Sequence, residues 1–191
     1  MKQIKAIVAI AVLGLMSLLP LKWAQSIGAF VGKRAEKNQN SVLGRITKIN
    51  IELCFPELSS EQRNRLIQES LIETGKTFSE MGMSWMWPPT RTLKTIKEVN
   101  NEELVNESLR HGSGVIVIAP HLGNWEVLNL YLSERYTLTA MYRPPKLKLM
   151  DDMIKKMRAR LGTKLAPANS SGVRIVMKAL KRGEMVGILP D

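Results

Sequence analysis

Val115-Ile116-Val117-Ile118-Ala119 is an unbroken apolar run, four of whose five residues are β-branched, bounded by Gly114 and Pro120. A run of this length and composition predicts a strand covered on both faces, as in parallel sheets. Strands of that kind occur where helices alternate with strands along the chain. The run therefore predicts an α/β domain.

The segments that follow this strand alternate as an α/β domain requires. The predicted elements are a helix over 125–132, a strand over 137–142, helices over 148–161 and 173–181, and a strand over 185–189. This order implies a mostly parallel sheet flanked by helices. With 45% hydrophobic and 24% charged residues, the 191-residue chain suits one core of ordinary size.

Two helices are predicted before the strand. Ser59 is one of two adjacent serines that can cap the first, Gln62 completes a capping box, and apolar residues recur at helical spacing until Gly82, where a helix can stop. Residues 83–89 then indicate an apolar loop. One of the asparagines at 100–101 can cap the second helix.

The positive charge of the chain is concentrated in one stretch. The formal net charge is +11, from 28 Lys and Arg against 17 Asp and Glu, and residues 142–182 hold twelve basic and two acidic residues, which is +10 of that charge. A solvated surface helix is one explanation, and an anionic partner is the other. Because aromatic residues are nearly absent from this stretch, we do not expect it to bind nucleic acid.

The cysteine and histidine content excludes several kinds of site. Cys54 is the single cysteine, and the chain has two histidines. These numbers exclude an internal disulfide framework, a cysteine-rich zinc site and a metal site built from several imidazoles. We therefore expect no metal.

The N-terminus is basic and then apolar. After Lys2 and Lys5, the sixteen residues of Ala6–Leu21 include one polar side chain, Ser17. Spanning a bilayer takes about 20 apolar residues, so the segment predicts a short membrane anchor, assigned to residues 1–22, or a re-entrant segment. A cleaved signal peptide and a buried core helix remain as alternatives. Flanking lysines favour a cytoplasmic main body.

We expect the chemistry directly after the central strand, where sites form in open α/β sheets. Asn124 is placed to cap the following helix. On one continuous helix His121 and Glu126 would point about 140° apart, but with His121 in the loop and Glu126 in the first helical turn they can meet. Glu126 would then orient the imidazole, and His121 would act as general base. The spacing alone does not exclude two simpler roles. His121 would then be a structural residue, and Glu126 would stand in the first turn because a negative charge there stabilises the helix dipole.

Several phrases, in this order, resemble the bacterial lipid A biosynthesis acyltransferases of the late, lauroyl/myristoyl type. The matching phrases are Asn50-Ile51-Glu52-Leu53-Cys54-Phe55-Pro56-Glu57-Leu58-Ser59, His121-Leu122-Gly123-Asn124-Trp125-Glu126, Tyr142-Arg143-Pro144, Arg158-Ala159-Arg160-Leu161-Gly162, Lys181-Arg182-Gly183-Glu184 and Leu189-Pro190-Asp191. The resemblance covers nearly the whole chain. Each phrase alone is weak, and their order together is specific.

The resemblance implies a reaction and a set of site residues. A fatty acyl chain would pass from acyl carrier protein, the co-substrate, to a hydroxyl of a phosphorylated glycolipid precursor, with no other cofactor and no covalent acyl-enzyme. His121 would be the general base and Glu126 its orienting carboxylate. Arg143 and Arg160, with Asn124, would bind the substrate, its phosphates or the developing oxyanion. The implied location is the cytoplasmic side of the bacterial inner membrane.

The sequence also departs from the family pattern. Pro145 and Lys146 follow the Tyr-Arg-Pro phrase, where relatives commonly have an Asn nearby. Relatives have an Asp-Gln pair after the last strand, and this chain has only the Asp, as Asp191. Since the chain stops directly after a predicted strand, we expect residues 23–191 to be an acyltransferase domain truncated at its C-terminus. Rival interpretations are acylation of a lysophospholipid or another glycolipid, and a non-catalytic membrane-associated fragment.

Overall fold

The computed structural model describes residues 2–38 and 41–190. They divide into two compact units, Val12–Met83 and the combination of Met1–Ala11 with Ser84–Asp191. The helices are α1 (Lys2–Leu18), α2 (Leu21–Lys37), α3 (Val42–Cys54), α4 (Ser60–Met86), α5 (Pro89–Leu93), α6 (Glu102–Arg110), α7 (Trp125–Arg135), α8 (Lys148–Arg158) and α9 (Ser170–Lys181), with a 3-10 turn at Ala159–Leu161. The strands are β1 (Val115–Ile118), β2 (Leu138–Tyr142), β3 (Lys164–Pro167) and β4 (Met185–Ile188).

The helical unit, Val12–Met83, contains α2 and α3 with parts of α1 and α4. The predicted capping box at the start of α4 is confirmed: the Ser59 N–H donates to Gln62 Oε1 at 2.9 Å, and the Gln62 N–H donates to Ser59 Oγ at 3.2 Å. The predicted stop at Gly82 is wrong, because α4 continues to Met86. A Cβ at position 82 would collide with the Leu13 carbonyl oxygen, so this glycine permits close helix packing and does not end the helix.

Small residues set how closely α2 and α4 approach each other. Gly28 and Gly75 face one another, and a Cβ on either would collide with the carbonyl oxygen of the other. Gly32 lies in the same way against the Leu71 backbone. Backbones can approach this closely only where side chains are missing.

We therefore expect Gly75→Ala to lower the free energy of unfolding of the helical unit by about 1–3 kcal/mol, the usual range for overpacking. Gly14 is the matched control, since a Cβ there meets no atom within 4 Å. Gly14→Ala should instead raise stability by up to about 1 kcal/mol, because alanine favours the helix. Urea unfolding followed by circular dichroism measures both variants, and equal effects would contradict the packing argument.

The second unit holds a four-stranded sheet of order β1-β4-β2-β3 in which every neighbouring pair is parallel. One face is covered by α7 with α5 and α6, through a core that includes Tyr131, Leu138 and Met185. The other face is covered by α9, whose Val176 packs with Val186 of β4. The predicted parallel sheet flanked by helices is thus confirmed.

The structure of this unit differs from the sequence prediction in three details. β3, which the sequence did not predict, pairs with β2 in parallel register, with Tyr142 beside Pro167. β1 is an edge strand of the described sheet and is not covered on both faces, since Ile116 is 52% exposed and Ile118 is 67% exposed. Asn101 stands before α6 in the left-handed region, with φ of 61°, and its side chain makes no capping hydrogen bond.

The apolar N-terminal segment forms α1, which ends at Leu18, two residues before Pro20. Within residues 2–38 and 41–190, no helix is both long and apolar enough to cross a membrane. The structure therefore gives no support to the membrane anchor predicted for residues 1–22.

Candidate active site

A pocket of about 520 Å³ lies where the sheet strands reach their carboxyl ends. His121, in the loop between β1 and α7, lines it together with Tyr142 and Arg143 at the end of β2. Arg158, at the end of α8, forms part of its wall. The pocket therefore lies at the carboxyl ends of the strands, where the sequence predicted the active site.

His121 occupies the loop position that its predicted role requires. The side chain is exposed, and its ring meets the Trp125 ring edge-on, with centroids 4.4 Å apart and planes at 70°. Trp125 is the first residue of α7, so this packing fixes the imidazole at the start of that helix. An exposed histidine held beside a pocket is placed to exchange a proton with a bound molecule.

Glu126 lies in the first turn of α7 and is only 3% exposed. Its carboxylate forms an ion pair with Arg158: Nη2 donates to Oε1 at 2.6 Å, and Nε donates to Oε1 at 3.2 Å and to Oε2 at 3.1 Å. The Arg158 side chain is 16% exposed. A buried carboxylate needs such a partner, because desolvation penalises an isolated charge. That Glu126 also orients His121 remains a prediction.

Arg158 is the functional candidate that the sequence reasoning missed. Arg158 belongs to one of the phrases that resemble the family, but the resemblance implies substrate binding for Arg160. In the structure, Ile154 lines the same pocket four residues earlier on α8, on the same face of the helix, but no feature of the sequence distinguishes Arg158 from Arg160.

Arg160 has its donors directed at backbone carbonyl oxygens. Nη1 donates to the Trp87 oxygen and Nη2 to the Ser84 oxygen, both at 2.7 Å, while Nε donates to the Met157 oxygen at 3.0 Å. Burial lowers the pKa of this guanidinium, and the nearby charge of Glu126 opposes that shift. Arg160 therefore ties the 3-10 turn to residues 84–87, and its role in substrate binding stays a prediction.

Asn124 has a different local role from the one predicted. It holds the N-cap position of α7, but its side chain makes no capping hydrogen bond. Its Nδ2 donates instead to Ser84 Oγ at 2.9 Å. The predicted capping hydrogen bond is thus wrong, and this side chain links the loop between β1 and α7 to residue 84. Substrate binding by Asn124 stays a prediction.

Arg143 is exposed and lines the pocket. Across residues 2–38 and 41–190, its guanidinium makes no hydrogen bond and no ion pair with the protein. Its five N–H donors are therefore available to a ligand in the pocket, and a phosphate or carboxylate is the group that this planar fork fits best.

Tyr142 forms a buried polar wall of the same pocket. Its hydroxyl donates to Asp151 Oδ1 at 2.7 Å, and Lys155 donates to the other oxygen of that carboxylate at 2.7 Å. Burial, first, and the hydrogen bond to Asp151, second, raise the pKa of Tyr142 above its ordinary value. The phenol thus stays neutral and positions Asp151, and with it the start of α8.

Two further predictions concern metal and the C-terminus. In the described part of the chain, no group of three or more His, Cys, Asp or Glu side chains is placed to hold a metal ion. Asp191, which the sequence reasoning matched to an Asp-Gln pair, lies outside the described residues.

Comparison with known proteins gives the family. Residues 2–191 match the family model described as bacterial lipid A biosynthesis acyltransferase. Similar proteins include the lipid A biosynthesis palmitoleoyltransferase of Escherichia coli K12, 30% identical over 165 residues, which are 85% of this chain and 53% of that protein. The lauroyltransferase of the same organism is 28% identical over 182 residues, 95% of this chain and 58% of that protein.

The myristoyltransferase of Escherichia coli K12 is 24% identical over 189 residues, which are 95% of this chain and 56% of that protein. The chain thus spans somewhat more than half the length of the curated relatives it matches. Because the family model covers the chain from residue 2 to residue 191, this protein belongs to the bacterial lipid A biosynthesis acyltransferase family.

Proposed function

We propose that this chain carries the catalytic base of an O-acyltransferase that moves a fatty acyl chain from acyl carrier protein to a hydroxyl of a lipid A precursor. The observation that carries the proposal is the pocket at the carboxyl ends of the strands, which His121 lines together with Arg143 and Arg158. A proton acceptor beside cationic donors suits attack by a hydroxyl on a thioester.

In the proposed reaction, His121 removes the proton of the acceptor hydroxyl as that oxygen attacks the thioester carbonyl carbon. The new C–O bond of the ester forms, the C–S bond breaks, and the thiolate leaves and takes up the proton that His121 holds. Glu126 orients His121 and stabilises the imidazolium between these steps. Support for this role is the position of Glu126 in the first turn of α7, five residues after His121.

Binding of the phosphorylated acceptor is proposed to use Arg143. Arg143 lines the pocket, and its guanidinium is not neutralised by any acidic side chain that the structure describes. A bidentate arrangement with a phosphate would then orient the glycolipid so that one hydroxyl meets His121. In the proposed reaction this pocket also encloses the oxyanion that forms on the attacked carbonyl. The N–H donors of Arg143 would stabilise that negative charge.

Membrane association is part of the proposal, at the cytoplasmic side of the bacterial inner membrane. In the helical unit, α2 and α3 expose large apolar side chains, among them Trp23, Phe30 and Leu53. Lys22 and Lys33 are on the same helix α2 as two of these side chains. Apolar side chains with flanking lysines are the composition of helices that lie in a membrane interface.

The test is mass spectrometry of lipid A from bacteria that lack their own late acyltransferase. Two proteins are expressed: the 191-residue chain, and a chimera that continues it with the C-terminal part of the Escherichia coli palmitoleoyltransferase. We expect the chimera to add one secondary acyl chain to lipid A, and its His121→Ala variant to add none. Unchanged lipid A, with acylation of lysophospholipid by the same membranes, would contradict the proposal and favour the rival acyltransferase class.

A further inference from the structure

The outward face of α9 carries a row of three cations. Arg174, Lys178 and Lys181 are spaced at i, i+4 and i+7, and all three are exposed. The helix contains no acidic residue, and in the part of the chain that the structure describes none of the three makes a hydrogen bond or an ion pair. We call these three residues the α9 row.

Stability of α9 accounts for only part of this row. Lys178 and Lys181 lie in the last turn, where cations interact favourably with the helix dipole, but like charges three or four residues apart repel each other on a helix surface, and Arg174 is outside that turn. On α8, by contrast, two of the four basic residues are paired, Lys155 with Asp151 and Arg158 with Glu126. Because α9 carries no acidic residue and all three cations of its row lack an acidic partner among the described residues, the row indicates a partner outside the chain.

The row begins near the rim of the pocket. Ala168 lines the pocket, and the next residue, Asn169, caps α9 by accepting from the Ser171 N–H at 3.0 Å and the Gly172 N–H at 3.1 Å. At 1.5 Å per residue, the row starts about 8 Å along the axis from Asn169 and ends about 18 Å from it. A partner lying along the row would therefore have one end close to His121's pocket.

The rest of α9 argues against a lipid surface or a nucleic acid as this partner. Its Val176 and Ala179 are packed on the sheet. The apolar side chains that α9 leaves exposed are divided by the row, with Ile175 on one side and Val173 and Met177 on the other, so they form no continuous apolar face of the kind that interfacial helices insert into a bilayer. The helix has no aromatic residue on which bases could stack. Beside the row, Val173 and Met177 are exposed, which adds apolar contact area for a folded partner.

We propose that the α9 row docks an acidic helix of the acyl carrier protein, so that the acyl-bearing prosthetic arm enters the pocket over the N-terminal end of α9. The inference rests on the proposed function, in which the acyl donor is bound to a carrier. Complementary charge fixes the register of such a complex and speeds its formation, while the exposed Val173 and Met177 contact the apolar side of the carrier helix.

The test measures binding and needs no turnover. Fluorescence anisotropy of labelled acyl carrier protein is recorded against the 191-residue chain in a neutral detergent. The variant Arg174→Gln/Lys178→Gln/Lys181→Gln should raise Kd by about 10-fold or more, since each exposed charge pair contributes a modest amount. We expect most of the salt dependence of binding to disappear with it. The variant should keep the wild-type Tm, because the substituted side chains are exposed.

The matched control removes three exposed cations elsewhere, in Lys94→Gln/Lys97→Gln/Arg110→Gln. It should change Kd by less than about 2-fold. Equal weakening in both variants would show attraction to net charge alone and would overturn the proposal. So would an unchanged Kd in the α9 variant, or an α9 variant that loses binding to phosphatidylglycerol vesicles while it still binds the carrier.

Failure of this inference is distinguishable from failure of the proposed function. A wild-type chain that binds no carrier protein overturns the α9 docking site, yet lipid A acylation by the chimera would still support the acyltransferase. Carrier binding through α9 without any acyl transfer by the chimera would support the docking site and contradict the reaction.

Discussion

Replacing His121 with alanine should lower the rate of acyl transfer by about 100-fold or more, the usual contribution of a general base. The side chain is exposed and lines the pocket, and removing an exposed side chain should leave the fold intact. The measurement is the initial rate of acyl transfer by the chimera from acyl carrier protein to a purified glycolipid acceptor. The decrease should appear in kcat, because the imidazole acts on the proton that moves in the transition state.

His111 provides the control for this experiment, since it is the other histidine of the chain. It is exposed and follows the last turn of α6, where it ends that helix. His111→Ala should therefore keep the wild-type rate. A His121→Ala variant that is as fast as His111→Ala would reject the general-base assignment, whatever the lipid product.

The location of His121 could be predicted because it depends on local sequence. The β-branched run Val115–Ile118 forms a strand, and Pro120 and Gly123 break regular structure before α7 begins at Trp125. In a parallel sheet this break lies at the edge where ligands bind. No long-range information was needed to place a histidine there.

β3 could not be predicted in the same way. Its sequence, Lys164-Leu165-Ala166-Pro167, has no β-branched or aromatic residue and ends in proline. It is a strand because its backbone pairs with β2, and because its one fully buried side chain, Ala166, packs under α9. Strand propensity of this kind is determined by neighbours that are distant in sequence.

The partner of Glu126 was also beyond sequence reasoning. Arg158 and Arg160 are two residues apart, and both are near Glu126 in the structure. The α-helix ends at Arg158 and a 3-10 turn follows, so the two side chains leave the backbone in different directions. One reaches the carboxylate, and the other reaches the carbonyl oxygens of residues 84–87. The position of α8 in the fold therefore determines which arginine pairs with Glu126.

The largest stability effect is expected from removing one partner of this ion pair. In Arg158→Met, the carboxylate of Glu126, 3% exposed, would be left without its bidentate donor. Leaving one charge of a buried pair uncompensated lowers the free energy of unfolding by about 3–5 kcal/mol. Urea unfolding of the 191-residue chain, followed by circular dichroism, measures this loss. Lys156→Met is the control on the same helix, because Lys156 is exposed and its loss should change stability by less than about 0.5 kcal/mol.

A double variant separates the ion pair from the packing of the arginine side chain. Combining Glu126→Gln with Arg158→Met removes the buried charge as well as its partner, so the double variant should be more stable than Arg158→Met alone. The recovery should be at least about 1 kcal/mol, the lower part of the range for directly contacting residues. If the second substitution lowers stability further by its own full amount, the two side chains act independently. In that case the carboxylate is tolerated without Arg158, and this arginine would have to be explained by the ligand that it faces in the pocket.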